Sequence, residues 1–350
     1  MYRITQWALQ RRGDEIQSAQ LLMVLSAKQL CQMAAQVSNL VYQSAETIAK
    51  LAPSQGLKLL WMKESTQDEY TKAVALFENP HQGILHLSVR GTDTSSPHDI
   101  ITATQAQPQI FDSQIAPGLM VHPGFRESAK DIVEDIYHQL RVHGHGRPLV
   151  VSGHSAGAAI ASICILQLQM KDPALLKSLK VSAVFFGPAV TFSEDIQFLI
   201  PNIPILSFIN RGDPVPRIDI DYCAWGLRRL RAMFLLGLHR FRRGPPQWLF
   251  GYLSNFFLSS DTVRGAERHR RVLATPPPAQ RLFPVGRLLY LNKHRDRGVA
   301  RYSVTTLSRA ELSALAPWRI DRHLCHKYIS ALNGLDWSST SGNHCQDVPV

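Results

Sequence analysis

The sequence has no apolar run of about 18 residues, the length that crosses a bilayer as a helix, so no ordinary transmembrane helix is expected. Its opening, MYRITQWALQRRGDEIQ, lacks the roughly 7–15-residue apolar stretch of a secretory signal. The expected location is cytoplasmic, with peripheral membrane association as a further option. Cysteines are few: Cys31, Cys164, Cys223, Cys325 and Cys345 are odd in number and show no C-x-x-C spacing. That argues against a disulfide framework or a zinc ribbon and leaves free thiols. Acidic residues are also scarce, 27 against 38 Lys and Arg, for a formal charge of +11. Such an excess directs attention to anionic partners, membrane surfaces or nucleic acid. What is abundant is apolar: 45% of the 350 residues are hydrophobic and only 19% charged, enough for a large core and against wholesale disorder.

Periodicity divides the chain. Leu30, Met33, Val37, Leu40, Val41 and Ile48 recur at three- and four-residue intervals and predict a helix over 27–51. Gly83 to Val89 reads as a strand, and the Thr-, Ser-, Gln- and Pro-rich segment 93–120 as a loop or flap. A second amphipathic helix carries Ala129, Ile132, Val133, Ile136 and Leu140 on one face. Leu149-Val150-Val151 suits a strand buried on both sides, Ala156 to Met170 a helix, and Val181 to Phe186 and Ile203 to Ile209 two further strands. Arg287 to Leu291 resumes a strand pattern, and Ala310 to Leu332 reads as mostly helical with a break near Pro317. Strands alternating with helices predict an α/β fold with a mostly parallel sheet.

The chemistry centres on Gly153-His154-Ser155-Ala156-Gly157, a G-x-S-x-G sequence between an apolar run and an Ala-rich helix. Alone the pattern is weak; in this context it reads as a nucleophile elbow, a tight strand-to-helix turn in which Gly153 and Gly157 leave room for neighbouring backbone. A serine there needs a histidine to take its proton and a carboxylate to orient that histidine. Asp213 lies just past the run 203–209, at what should be that strand's end, although an Asp-Pro turn alone would also explain it. The base follows among His239, His269, His294, His323, His326 and His344. His323 and His326 stand where a helix begins, and the residues alone leave both open. His122 reads as a loop-ordering residue, and His154 should point away from the reaction.

Several peptides in register resemble the fungal-lipase-like, or class 3, lipases, including diacylglycerol-lipase-like enzymes. They are Ser88-Val89-Arg90-Gly91-Thr92, Val121-His122-Pro123-Gly124-Phe125, the Ser155 elbow, Phe186-Gly187-Pro188-Ala189-Val190, Asp213-Pro214-Val215-Pro216 and Leu282-Phe283-Pro284-Val285-Gly286-Arg287. The resemblance implies an α/β-hydrolase fold and a serine carboxylic-ester hydrolase acting on lipids. Its catalytic residues would be Ser155, Asp213 and His323, with His326 the alternative base. The backbone N–H groups of Thr92 and Ala156 would form the oxyanion hole, and no metal or organic cofactor would be needed. Two departures bear on the pocket: Asp99-Ile100 stands where the family often has Asp-Trp, and Arg322 where an Asp usually precedes the histidine. Acyl transfer by the same triad, or a silent lipid- or partner-binding scaffold, are the alternative readings.

The expected domains are an N-terminal helical segment at 1–75, a catalytic domain at 76–335 with an insertion at 222–280, and a polar tail at 336–350. Between Tyr222 and Val272 stand ten Arg and no Lys against Asp261 and Glu267, a net +8 of the total +11. In 227–241, Leu227, Leu230, Phe234, Leu238 and Phe241 form an apolar stripe. Arg228, Arg229, Arg231, Arg240, Arg242 and Arg243 flank or follow it, a pattern that suits an anionic membrane surface. A stripe packed on the enzyme with the arginines solvated explains the same pattern. No nucleic-acid-binding motif accompanies the charge, so nucleic acid is the least favoured partner.

Overall fold

Strands that are apolar along their whole length bury both faces only when helices cover the sheet on two sides. The computed structural model describes residues 16–65, 72–92, 107–112, 116–217, 281–296, 299–315 and 319–335, with a few isolated positions besides. It begins with helices α1 (Ile16–Leu40) and α2 (Ala45–Leu51) and strands β1 (Lys58–Lys63), β2 (Val74–Asn79) and β3 (Ile84–Val89). A hairpin of β4 (Gln109–Asp112) and β5 (Ala116–Val121) precedes α3 (Pro123–His143). Then come β6 (Leu149–His154), α4 (Ala156–Lys171), α5 (Pro173–Ser178), β7 (Ser182–Phe186) and β8 (Ile205–Asn210). The last elements are β9 (Arg287–Asp296), β10 (Val299–Leu307), α6 (Arg309–Ala314) and α7 (Cys325–Asn333).

The main sheet has the order β1-β2-β3-β6-β7-β8-β9-β10. The pairs from β3 through β9 are parallel, and the two edges are antiparallel. One face packs on α3 and α4 through Leu85, Leu87, Ile132, Ile136, Ile160 and Phe185; the other meets α1 and α7 through Ala34, Ala35, Val150, Phe186 and Tyr328. The α4 face can approach closely because it presents Ala158, Ala159 and Ala161, all fully buried. This is the α/β-hydrolase arrangement, with β6 central and every one of its residues buried.

The chain divides into two compact units, Met1–Arg217 with Arg281–Val350, and Ile218–Gln280. The helix expected at 227–241 and the arginine contacts expected there fall almost wholly outside the described residues. So does the polar tail, apart from Trp337.

Several local expectations need correction. The helix expected over 27–51 is two helices, α1 and α2, because Ser44 adopts an extended backbone and caps α2 by accepting the Thr47 N–H at 3.3 Å. The segment 1–75 expected as helical contains β1 and the start of β2. The expected loop 93–120 contains β4 and β5, whose inward residues Phe111, Leu119 and Val121 are too sparse to give a strand signal. Strand β10 was not foreseen; it pairs with β9, and its Tyr302 bridges Leu335. The stretch 310–332 is α6, a 3₁₀ turn at Ile320–His323, and α7.

Candidate active site

Strand β6 ends on His154, and Ser155 turns the chain at φ 61° and ψ −131° into α4. A side chain at such φ is strained, and it projects from the tip of the turn. The flanking glycines are required by contact. A Cβ on Gly153 would stand 2.7 Å from the backbone N of Ala158, and one on Gly157 2.8 Å from the backbone N of Gly91 and against the Val89 carbonyl. The elbow is fastened from β7: Ser155 N–H donates to Phe186 O at 3.0 Å, and Ala189 N–H donates to Ser155 O at 3.2 Å.

Asp213 follows β8 on the adjacent strand end. It is 3% exposed, and a buried carboxylate must collect donors. His323 Nδ1 lies 3.1 and 3.0 Å from its two oxygens, Val215 N–H donates to Oδ1 at 2.9 Å, and the Tyr328 hydroxyl donates to Oδ2. The Asp-Pro turn and the carboxylate–histidine contact therefore coexist at one residue. His323 Nε2 is 2.8 Å from Ser155 Oγ. Because a carboxylate only accepts, Nδ1 carries the proton; Nε2 is then the acceptor and Ser155 O–H the donor. The structure thus brings Ser155, Asp213 and His323 into one hydrogen-bonded line. His326 lies in the first turn of α7, and among the described residues it makes no hydrogen bond to Ser155 or Asp213.

Sequence reasoning did not foresee Tyr328 as a partner of the acid. Its hydroxyl also accepts the Asn210 N–H at 3.1 Å, and burial, with the Asp213 charge, pushes its pKa well above the ordinary tyrosine value. It stays protonated and so serves only as a donor to the carboxylate. Gly187 follows β7 within Phe186-Gly187-Pro188-Ala189-Val190. With φ at +50°, a Cβ there would lie 2.6 Å from Asp213 Oδ2, 2.8 Å from Tyr328 Oη and 3.0 Å from His323 Nδ1. The space is taken by the Asp213–His323 pair itself.

The other family-like peptides converge on the same end of the sheet. Val121, Phe192 and Phe283 form successive antiparallel bridges, and His122 N–H donates to Thr191 O at 3.0 Å. His122 caps α3 through the Phe125 N–H at 3.4 Å and stacks on the Phe125 ring at 3.9 Å, the loop-ordering position. Gly91, just before Thr92, lies so close to the elbow that a Cβ on it would be 3.2 Å from Ser155 Cβ. Ala156 opens α4, where backbone N–H groups have no partner within the helix.

Residues 86–222 match the family model described as Lipase (class 3). That match makes the segment similar to the class 3 lipases and covers less than half of the chain. The segment holds most of β3, the Ser155 elbow and Asp213, and it ends before His323. No curated protein matches the chain. Among solved structures, the Rhizomucor miehei lipase propeptide complex is similar at 20% identity, over 55% of this chain and 63% of that one, with a TM-score of 0.44. Lipase II from Rhizopus niveus is similar at 20% identity over 55% and 75%, TM-score 0.43. A lipase from Rhizopus microsporus var. chinensis is similar at 21% identity over 55% and 69%, TM-score 0.42. The chain spans less than two thirds of the first of these. His323 lies beyond the matched segment, in the 3₁₀ turn before α7, some hundred residues further along the sequence. No helix among the described residues is long and apolar enough to cross a membrane.

Proposed function

We propose that this protein is a serine hydrolase that cleaves carboxylic esters of lipids through an acyl-enzyme. The observation that carries the reading is the line from Ser155 Oγ through His323 to Asp213, at 2.8 and 3.0 Å, on a strained elbow. The similarity of residues 86–222 to the class 3 lipases supports the ester chemistry and the lipid class. Ser155 Oγ attacks the ester carbonyl carbon while His323 Nε2 takes its proton. The resulting imidazolium lies against the Asp213 carboxylate, which also accepts from Val215 N–H and the Tyr328 hydroxyl. The developing oxyanion is assigned to the backbone N–H groups of Thr92 and Ala156, where one such donor contributes about 3–4 kcal/mol. Collapse expels the alcohol, which takes the proton from Nε2; water then enters by the same route and releases the acid.

The test is product analysis with the purified full chain on tri-, di- and monoacylglycerols, phospholipids and short soluble esters. The expected result is release of fatty acid from at least one lipid class. Asp213→Asn should lower kcat by roughly 10³–10⁴, because the histidine then adopts the wrong tautomer. A near-normal rate in that variant would move the acid elsewhere. Transfer of the acyl group to an added alcohol in preference to water would make the protein an acyltransferase.

A further inference from the structure

His154 stands next to the nucleophile and has no part in the chemistry just described. It is 5% exposed, and its ring lies 4.6 Å from that of His323. Its Nε2 is 2.5 Å from the backbone carbonyl oxygen of His323, and its Nδ1 is 3.0 Å from Tyr42 Oη. A carbonyl oxygen only accepts, so Nε2 carries the proton. Nδ1 is then the acceptor, and the Tyr42 hydroxyl donates to it. Burial first, then the neighbouring His323, holds the His154 pKa down to about 3, so the ring stays neutral and this direction is fixed.

Tyr42 lies two residues past the end of α1. Its hydroxyl occupies the room that a Cβ on Gly91 would need, beside His154 O and Ser155 Cβ. The turn bearing His323 is also tied to the end of β8, through Asn210 Nδ2–H to Arg322 O at 3.1 Å and Arg319 N–H to Gly212 O at 2.8 Å. Those two bonds hold residues ahead of the base. The His154 bond holds the base's own peptide.

We propose that His154, oriented by Tyr42, is a positioning residue for His323: it fixes the backbone of the base so that Nε2 meets Ser155 Oγ, and it ties the end of α1 to the proton relay. The inference rests on the serine-hydrolase reading above. A shift of about an ångström at a catalytic group costs about 10²-fold in rate. Loss of this contact should therefore appear in kcat and spare KM.

The experiment measures kcat and KM on a soluble p-nitrophenyl ester, with active sites counted by fluorophosphonate titration and melting temperatures recorded alongside. His154→Leu should lower kcat per titrated site about 10- to 100-fold, with KM within about twofold of wild type. His154→Gln, whose amide N–H can reach the same carbonyl, should recover most of that loss. Tyr42→Phe, which removes one hydroxyl, should cost about 2- to 10-fold. A purely structural role would lower the melting temperature and the number of titrated sites, with kcat per site unchanged. That outcome, or equal losses in His154→Leu and His154→Gln, overturns the proposal. If His154→Leu fails to fold, an unchanged kcat per site in Tyr42→Phe overturns it. Wild-type protein that neither labels nor hydrolyses any ester removes the hydrolase reading and this inference together; an active wild type with indifferent variants removes only this one.

Discussion

At Ser155 the backbone sits at φ 61°, ψ −131°, where a residue with a Cβ pays about 1–3 kcal/mol. Glycine escapes that penalty, so Ser155→Gly should be more stable than Ser155→Ala by about 1 kcal/mol although both lack the attacking oxygen. Denaturant unfolding of the two variants checks this, and an Ala variant as stable as the Gly one would mean that the turn is unstrained. The elbow was legible in the sequence because its signal is local: two glycines, a serine, an apolar run before and an alanine-rich run after. Asp213 was legible through its place after an apolar run. Tyr328, which donates to Asp213 across 115 positions of sequence, and Gly187, whose missing side chain makes room for the pair, left no such trace. Their requirement comes from what other segments bring to the spot, and periodicity carries no record of it.

Among the elements, β3 is buried along its whole length yet contains His86, neither of whose ring nitrogens has a hydrogen-bond partner among the described residues. Burial lowers its pKa to about 4, against an ordinary value near 6.5, and His154 is lowered to about 3. Both are depressed in the fold, so as pH drops below about 6.5 the unfolded chain gains protons that the folded chain refuses. Each histidine should then withdraw roughly 1.4 kcal/mol of stability per pH unit until its folded pKa is reached. The histidine contribution should be flat between about pH 7 and 8, and stability should fall between 6.5 and 4, with a shallower fall in His86→Leu. Melting curves across that range decide it; an identical slope in the variant would show that His86 is not the source. Strand β3 announced itself despite His86 because Ile84, Leu85, Leu87 and Val89 surround it with apolar residues. By contrast β1 and β10 are the edges of the main sheet and β4 and β5 form a separate two-stranded sheet, so only part of their length needs to be apolar, and their mixed composition read as loop, helix or nothing.

For the molecule as a whole, the positive charge is gathered in one sequence interval, +8 of +11 between Tyr222 and Val272, inside the unit Ile218–Gln280. Composition locates that charge, but what it faces is a matter of three-dimensional arrangement that a charge count does not encode. If the interval docks on an anionic surface, Gln in place of Arg228, Arg229 and Arg231 should weaken binding to phosphatidylserine-containing vesicles by about 1 kcal/mol per charge. The salt dependence should flatten as well, while soluble-ester kcat stays unchanged. Vesicle binding that is indifferent to the three substitutions would assign the surface elsewhere. The catalytic claim does not depend on that interval, because Ser155, Asp213 and His323 all lie in the other unit. Mass spectrometry of the protein after reaction with a fluorophosphonate tests it most directly. The account predicts one adduct, mapped to the peptide containing Ser155, absent in Ser155→Ala and formed far more slowly in His323→Ala; no adduct, or an adduct on another serine, would contradict it.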